Sequence, residues 1–186
     1  MSVSDQYKND TAGLITAVQS GDKDSFASIY RLFFASLCDF TYYLTKDEEV
    51  AKELVQDTFL SIWEQRKDWS PQGTIRSYLF RAAKNRSLDY LKHQKIVRKW
   101  EKTTQEQAIP YSQNEDDHLS QAELITAIDN QIDRLPQKCK IIFIMSRQQG
   151  LTYREIAEIQ GVSIKTVETQ VGRALKKLRE SLHNYL

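Results

Sequence analysis

The chain has 186 residues, 40% of them hydrophobic, and 26 Lys and Arg against 25 Asp and Glu give a formal net charge of +1. This composition excludes a disordered tail and allows one modest core or two small ones. No apolar run approaches the length of a bilayer span, and the opening MSVSDQYKND lacks the basic and apolar sections of a signal peptide, so a cytoplasmic protein is expected.

The charge is unevenly placed. Between Arg76 and Lys102 stand nine Lys or Arg against Asp89 and Glu101, whereas Glu115 to Asp117 is acidic throughout. Local positive charge of this kind suits a nucleic-acid partner. Cys38 and Cys139 lie far apart in apolar patterns and read as reduced core residues.

In chain order, Leu14, Ile15 and Val18 mark a short first helix ending at Gly21. From Asp24, Phe26, Ile29, Tyr30, Phe33, Phe34, Leu37 and Cys38 recur at helical spacing, wide enough for burial on more than one side. Thr45 and Glu48 have the spacing of a capping box and open a helix with Ala51, Leu54, Val55, Phe59, Ile62 and Trp63 on its apolar face. Its other face, Lys52, Glu53, Gln56, Asp57 and Ser61, mixes charges.

Lys67 to Gly73, KDWSPQG, is a loop. Thr74 caps a long basic helix with Ile75, Leu79, Ala82 and Ala83 inward, and Arg76, Arg81, Lys84, Asn85, Arg86, Asp89, Tyr90, Lys92 and His93 on the rest of its surface. Cations there attract phosphates, while amide and aromatic groups bind or stack unpaired bases, so single-stranded DNA is a ligand this helix suits. Residues 96–121 turn from basic to acidic, include Pro110, and read as a flexible linker. Two apolar helices follow, one with Leu124, Ile125, Ile128, Ile132 and Leu135, the other running from Pro136 through Cys139, Ile142, Phe143 and Met145 to Gly150.

Leu151 to Arg179 has the pattern of a helix-turn-helix. Thr152 and Glu155 form a capping box, Gly161 supplies positive φ at the first helix end, and Ser163 caps the second helix. That second helix turns Val167, Val171, Ala174, Leu175, Leu178 and Leu182 inward. It presents Lys165, Thr166, Glu168, Thr169, Gln170, Arg173, Lys176 and Lys177, all groups that contact bases or phosphates. A capped helical hairpin with a solvated polar face has the same pattern. The fold class expected is all-α: two small helical domains joined by a flexible linker, the C-terminal one a four-helix domain with a helix-turn-helix.

Motifs of covalent chemistry are missing. The sequence has no phosphate-cradling glycine loop, no C-x-x-C and no H-E-x-x-H, and His93, His118 and His183 stand in unrelated contexts. The Glu115 to Asp117 trio does not have the form of a metal site. No enzyme, cofactor, metal or small-molecule substrate is expected.

Taken together, AKELVQDTFLSIWEQR, SYLFRAAKNRSLDYLK and the terminal LTYREIAEIQGVSIKTVETQVGRALKKLR resemble the extracytoplasmic-function (ECF) sigma factors of bacterial RNA polymerase, over most of residues 22–183. The resemblance implies a sigma region 2 domain at residues 22–95, after an extension at 1–21. This domain would bind core polymerase and recognise and melt the minus-ten element. It further implies a region 4 domain at residues 122–186 that reads the minus-thirty-five element as duplex.

By the same resemblance, Val55, Gln56, Asp57, Phe59 and Trp63 match the helix that binds the polymerase clamp coiled coil, with the polymerase flap as a second contact. The loop Trp69 to Thr74, with Ser70 and Gln72, matches the loop that receives a flipped minus-ten base, and Asn85 matches a residue lining that surface beside Arg81, Lys84, Asp89 and Lys92. Lys165, Thr166, Glu168, Thr169, Gln170 and Arg173 match base- and phosphate-facing positions, continued by Lys176 and Lys177. Glu168 departs from the family, in which a basic residue often stands there. An anti-sigma factor, often membrane-anchored, is the further partner implied. The competing readings are a helix-turn-helix regulator that acts outside polymerase and a DNA-processing enzyme such as a serine recombinase.

Overall fold

The computed structural model describes residues 11–101 and 121–182, with side chains at 12–97 and 126–181, and among these the regular structure is entirely helical. They group into two compact units, one built on the helices before Lys92 and one on those after Gln121.

The first unit contains α1 (Thr11–Gln19), α2 (Lys23–Thr45), α3 (Glu48–Glu64), a 3-10 turn (Arg66–Asp68) and α4 (Ile75–Glu101). Gly21, at φ +91°, turns the chain from α1 into α2, where the Asp22 carboxylate accepts from the amides of Asp24 and Ser25 at 3.2 Å each. The cap of α3 is Asp47, whose Oδ1 accepts from Val50 N at 3.0 Å, rather than the expected Thr45 and Glu48 pair. Thr45 still belongs to α2 and its hydroxyl donates back to Thr41 O at 3.0 Å, so it is already committed when α3 begins.

The core of this unit joins Ile29, Leu37 and Phe40 of α2 to Val55, Phe59 and Ile62 of α3 and to Leu79, Phe80 and Ala83 of α4, all buried. The rings of Phe40 and Phe80 meet edge-on at 5.4 Å. Fully burying such a side chain contributes roughly 1.5–3 kcal/mol. Val18, fully buried, docks α1 against α2 and the 3-10 turn. The stretch expected as a linker from residue 96 is helical at its start, where α4 continues through Glu101. Its remainder, including Pro110 and Glu115 to Asp117, lies outside the described residues, as do residues 1–10.

The second unit contains α5 (Gln121–Asp133), α6 (Gln137–Arg147), α7 (Tyr153–Gln160) and α8 (Ile164–Leu182). α6 is its centre: Ile141 to Met145 are buried without a break, as in a helix surrounded by others. α5 and α6 both pack on α8, which turns Val167, Val171, Ala174 and Leu178 inward. Leu175 is 37% exposed, contrary to expectation. It follows Ala174 by one residue, about 100° around the helix, and so falls at the edge of a stripe spaced by three and four. The side chains of Leu124, Ile125 and Leu182 lie outside those described.

Candidate nucleic-acid interface

In the first unit a cavity forms where α3 gives way to α4. Past the 3-10 turn, Trp69 is 4% exposed and its ring meets that of Tyr78 edge-on at 6.0 Å. Its carbonyl accepts from Gln19 Nε2 at 2.9 Å, which ties the loop to α1 across fifty residues of sequence. Ser70 and Gln72 are exposed, Gly73 takes φ +81°, and Thr74 caps α4, accepting from Ser77 N at 3.0 Å. Beside this loop opens a cavity of about 410 Å³ lined by Thr58, Ser61, Ile62, Gln65, Asp68, Trp69, Ser70, Tyr78, Ala82 and Arg86. The Arg86 guanidinium donates to the Ser61 hydroxyl and so holds one wall. An aromatic wall with hydroxyl, amide and guanidinium groups around it provides the chemistry that receives an unstacked base.

Of the residues expected to meet single-stranded DNA, Trp69 and Ser70 line this cavity, and Gln72 and Thr74 are exposed on the loop. Arg81 and Lys84 are partly buried on α4, while Asn85, Asp89 and Lys92 are exposed on it at the three- and four-residue spacing of one stripe. Trp69 is therefore a wall of this cavity. Tyr78, Gln65 and Asp68 are not singled out by the sequence for this site, and Arg86 is expected only as one cation on the surface of the basic helix, not as part of the loop's pocket. A signal existed for two of them: Tyr78 and Arg86 stand four and twelve residues after the cap Thr74, on the face of α4 that continues the loop.

On α3 the five residues matched to the clamp-binding helix separate into two layers. Val55 and Phe59 are buried, and the Phe59 ring lies 4.8 Å from that of Tyr30. Trp63 packs 4.9 Å from Phe26 under the Arg66 guanidinium, 4.6 Å above its ring. Gln56 and Asp57 are exposed, and Leu60, one turn on, is 54% exposed between polar neighbours. The exposed surface of α3 thus includes Gln56, Asp57 and Leu60, flanked by the exposed Glu53 and Glu64 and supported from beneath by Val55 and Phe59. Leu60 falls outside the inward period, which was its signal in the sequence.

In the second unit the helix-turn-helix is built as its sequence predicts. Thr152 N donates to the Glu155 carboxylate at 2.8 Å and Glu155 N to Thr152 Oγ1 at 3.3 Å, a reciprocal capping box at the start of α7. Gly161 has φ +65°, and Ser163 Oγ accepts from Thr166 N at 3.1 Å to start α8. Along α8, Lys165, Glu168, Thr169, Arg173, Lys176 and Lys177 are exposed, and Thr166 and Gln170 partly so.

Glu168 pairs with Lys165 at 3.4 Å, an exposed contact that softens its charge but contributes little stability. Arg173, Lys176, Lys177 and Gln170 also line a groove of about 700 Å³ with Lys138 and Cys139 of α6, and there the Cys139 thiol donates to Gln170 O at 3.3 Å. Lys138 is thus a further cation on this side. Val162 and Ile164, 39% and 47% exposed at the turn, add apolar groups of the kind that contact thymine methyls. Among the described residues no group of three or more His, Cys, Asp or Glu could hold a metal ion, and no helix is long and apolar enough to cross a membrane.

Comparison with known proteins accounts for both units. Residues 29–96 match the family model of Sigma-70 region 2, and residues 125–178 match that of Sigma-70, region 4. The chain is 29% identical to RNA polymerase sigma factor SigV of Bacillus subtilis, covering 94% of this chain and 95% of that protein. It is 22% identical to ECF RNA polymerase sigma factor SigW of the same organism, covering 91% and 95%. Among solved structures, the sigma factor RpoE in complex with the anti-sigma factor NepR, from Bartonella quintana, shares the fold. Its TM-score is 0.67 at 20% identity, covering 85% of this chain and 96% of that one. With both sigma-70 regions matched in order and relatives aligned along nearly their whole length, the chain belongs to the ECF sigma factors, which bind core RNA polymerase and direct promoter-specific transcription initiation.

Proposed function

We propose that the two units divide promoter recognition between them. Residues 22–95, as the region 2 domain, bind polymerase through Gln56, Asp57 and Leu60 of α3, and capture a flipped minus-ten base in the cavity walled by Trp69 and Tyr78. The stripe Asn85, Asp89 and Lys92, with Arg81 and Lys84, guides the single strand. Residues 122–186, as the region 4 domain, lay α8 in the major groove of the minus-thirty-five duplex, with Lys165, Thr166, Glu168, Thr169, Gln170 and Arg173 toward bases and phosphates and Lys176 and Lys177 on the backbone. Residues 1–21 extend the first domain and the stretch before residue 122 links the two.

The observation that carries this reading is the cavity. It is roomy, has an aromatic wall, and adjoins a basic helix. Flipping a base costs a few kcal/mol of lost stacking, which a fitted pocket offsets. The protein itself performs no covalent chemistry and works in the cytoplasm, where polymerase and promoter are. Its contribution is binding energy at two DNA sites, made effective by tethering on polymerase. The relative crystallised with an anti-sigma factor supports a regulator of that kind for this chain too.

The test compares a duplex promoter with one pre-melted over the minus-ten element, in transcription by core polymerase carrying this chain. Asn85→Ala and Tyr78→Leu should impair the duplex template far more than the pre-melted one if melting is their role, and loss on neither template would remove both residues from the site.

A further inference from the structure

Gly172 has no structural reason to be glycine. Gly21, Gly73, Gly150 and Gly161 all take positive φ, where other residues are strained, whereas Gly172 lies mid-way along α8 in ordinary helical backbone. It is exposed, and a Cβ built on it would meet nothing within 4 Å. In an exposed helix interior glycine is about the poorest choice short of proline, because it loses more backbone freedom on folding than any other residue. No contact inside the protein offsets that loss.

Its position suggests what does. One turn before it stand Glu168 and Thr169, and one turn after it Leu175 and Lys176, so it forms a notch in the middle of the exposed face of α8. A residue without a side chain is what a helix needs where its backbone must approach another molecule closely. The sides of the notch show what that molecule is. The threonine hydroxyl and lysine ammonium suit base edges and phosphates, and Leu175, 37% exposed, offers an apolar wall to a sugar or thymine methyl. The Glu168 carboxylate, exposed and 3.4 Å from Lys165, is the acceptor that suits a cytosine amino group where the helix lies deep in the groove.

We propose that Gly172 is a clearance position: it lets α8 sit close to the floor of the major groove, so that Glu168 and Thr169 reach base edges. This rests on α8 being the duplex-reading helix. The closing experiment uses the full chain bound to core polymerase, and as its probe a duplex enriched by the wild-type complex from a randomised library. Gly172→Ala and Gly172→Gln are compared with Arg173→Ala for duplex affinity, and the free proteins for thermal stability.

Gly172→Ala should raise the melting temperature by a few degrees while weakening duplex binding about tenfold, and Gly172→Gln should weaken it further, a cost of about 1.4 kcal/mol per factor of ten. Unchanged binding in both Gly172 variants while Arg173→Ala loses affinity would overturn the inference and leave the helix assignment standing. Unchanged binding in all three would overturn the helix assignment and the inference with it. A lowered melting temperature in Gly172→Ala would make the glycine a structural requirement, and that too overturns it.

Discussion

The indole ring of Trp69 meets the phenol ring of Tyr78 edge-on at 6.0 Å, and this pair forms the aromatic wall of the cavity beside the Trp69 to Thr74 loop. Trp69 is 4% exposed in a segment otherwise rich in solvent-facing groups, so its ring anchors the loop to the helices. Its indole Nε1 is buried and has no hydrogen-bond partner among the described residues, so the contribution of the residue lies in its ring. Trp69→Ala should therefore destabilise the chain by about 3–5 kcal/mol, whereas Trp69→Phe should cost under about 1.5 kcal/mol, having lost an unsatisfied polar group with part of the ring. Urea denaturation of the two variants checks this, and equal losses would show that the N–H matters as much as the ring.

Gln19 holds the same loop from the other side. Removing its amide in Gln19→Ala leaves the Trp69 carbonyl without that donor, a loss of about 1 kcal/mol. The functional effect should be larger at the minus-ten element than at the minus-thirty-five. Transcription from templates mutated singly at each minus-ten base should show reduced discrimination between bases, and unchanged discrimination would make α1 a structural support only.

Salt dependence separates the roles on α8. If Arg173 neutralises one phosphate, Arg173→Ala should lower the slope of log K against log salt by about 0.9, with base preference unchanged. A steady slope with altered preference would make Arg173 a base reader. Thr152→Ala, by contrast, breaks the capping box and should cost about 1 kcal/mol of stability with no change in that slope, because Thr152 caps α7 and faces no DNA in this account.

Alkaline pH reports on Cys38, which the sequence suggests as a core residue but which is only partly buried on α2. The Cys38 thiol is pushed up to about 11, first by burial and then by the Asp39 carboxylate, with Lys52 opposing. The folded chain thus favours the neutral thiol, and this contribution is complete below the unfolded thiol's ordinary value of 9.0 and is lost as pH rises through about 11. Stability should fall across that window more steeply in the wild type than in Cys38→Ala, and iodoacetamide should modify Cys38 only slowly at pH 8. Equal slopes in the two proteins would contradict the assignment.

The second unit was the more legible in the sequence. Its caps are local: Thr152 with Glu155, Gly161, and Ser163 with Thr166 are each set by residues three apart or fewer, and all formed as read. Leu175 was misread because a run of adjacent apolar residues does not say which of them the stripe keeps. In the first unit the helices were legible and the site was only half so. The loop and the basic helix could be seen, but the cavity depends on Tyr78 and Arg86 meeting Ser61 and Gln65 from another helix, a tertiary relation with no local signature. Burial of Trp69 and Phe59 has the same origin: an aromatic in a loop or on a helix reads equally as a ligand contact or a wall until its neighbours are known.

Core RNA polymerase, assayed with and without this chain on a library of genomic fragments, gives the most direct measurement. The account predicts discrete promoter-initiated transcripts only when the chain is present, and their loss when the Trp69 to Thr74 loop is replaced. No chain-dependent transcript from any fragment would contradict it.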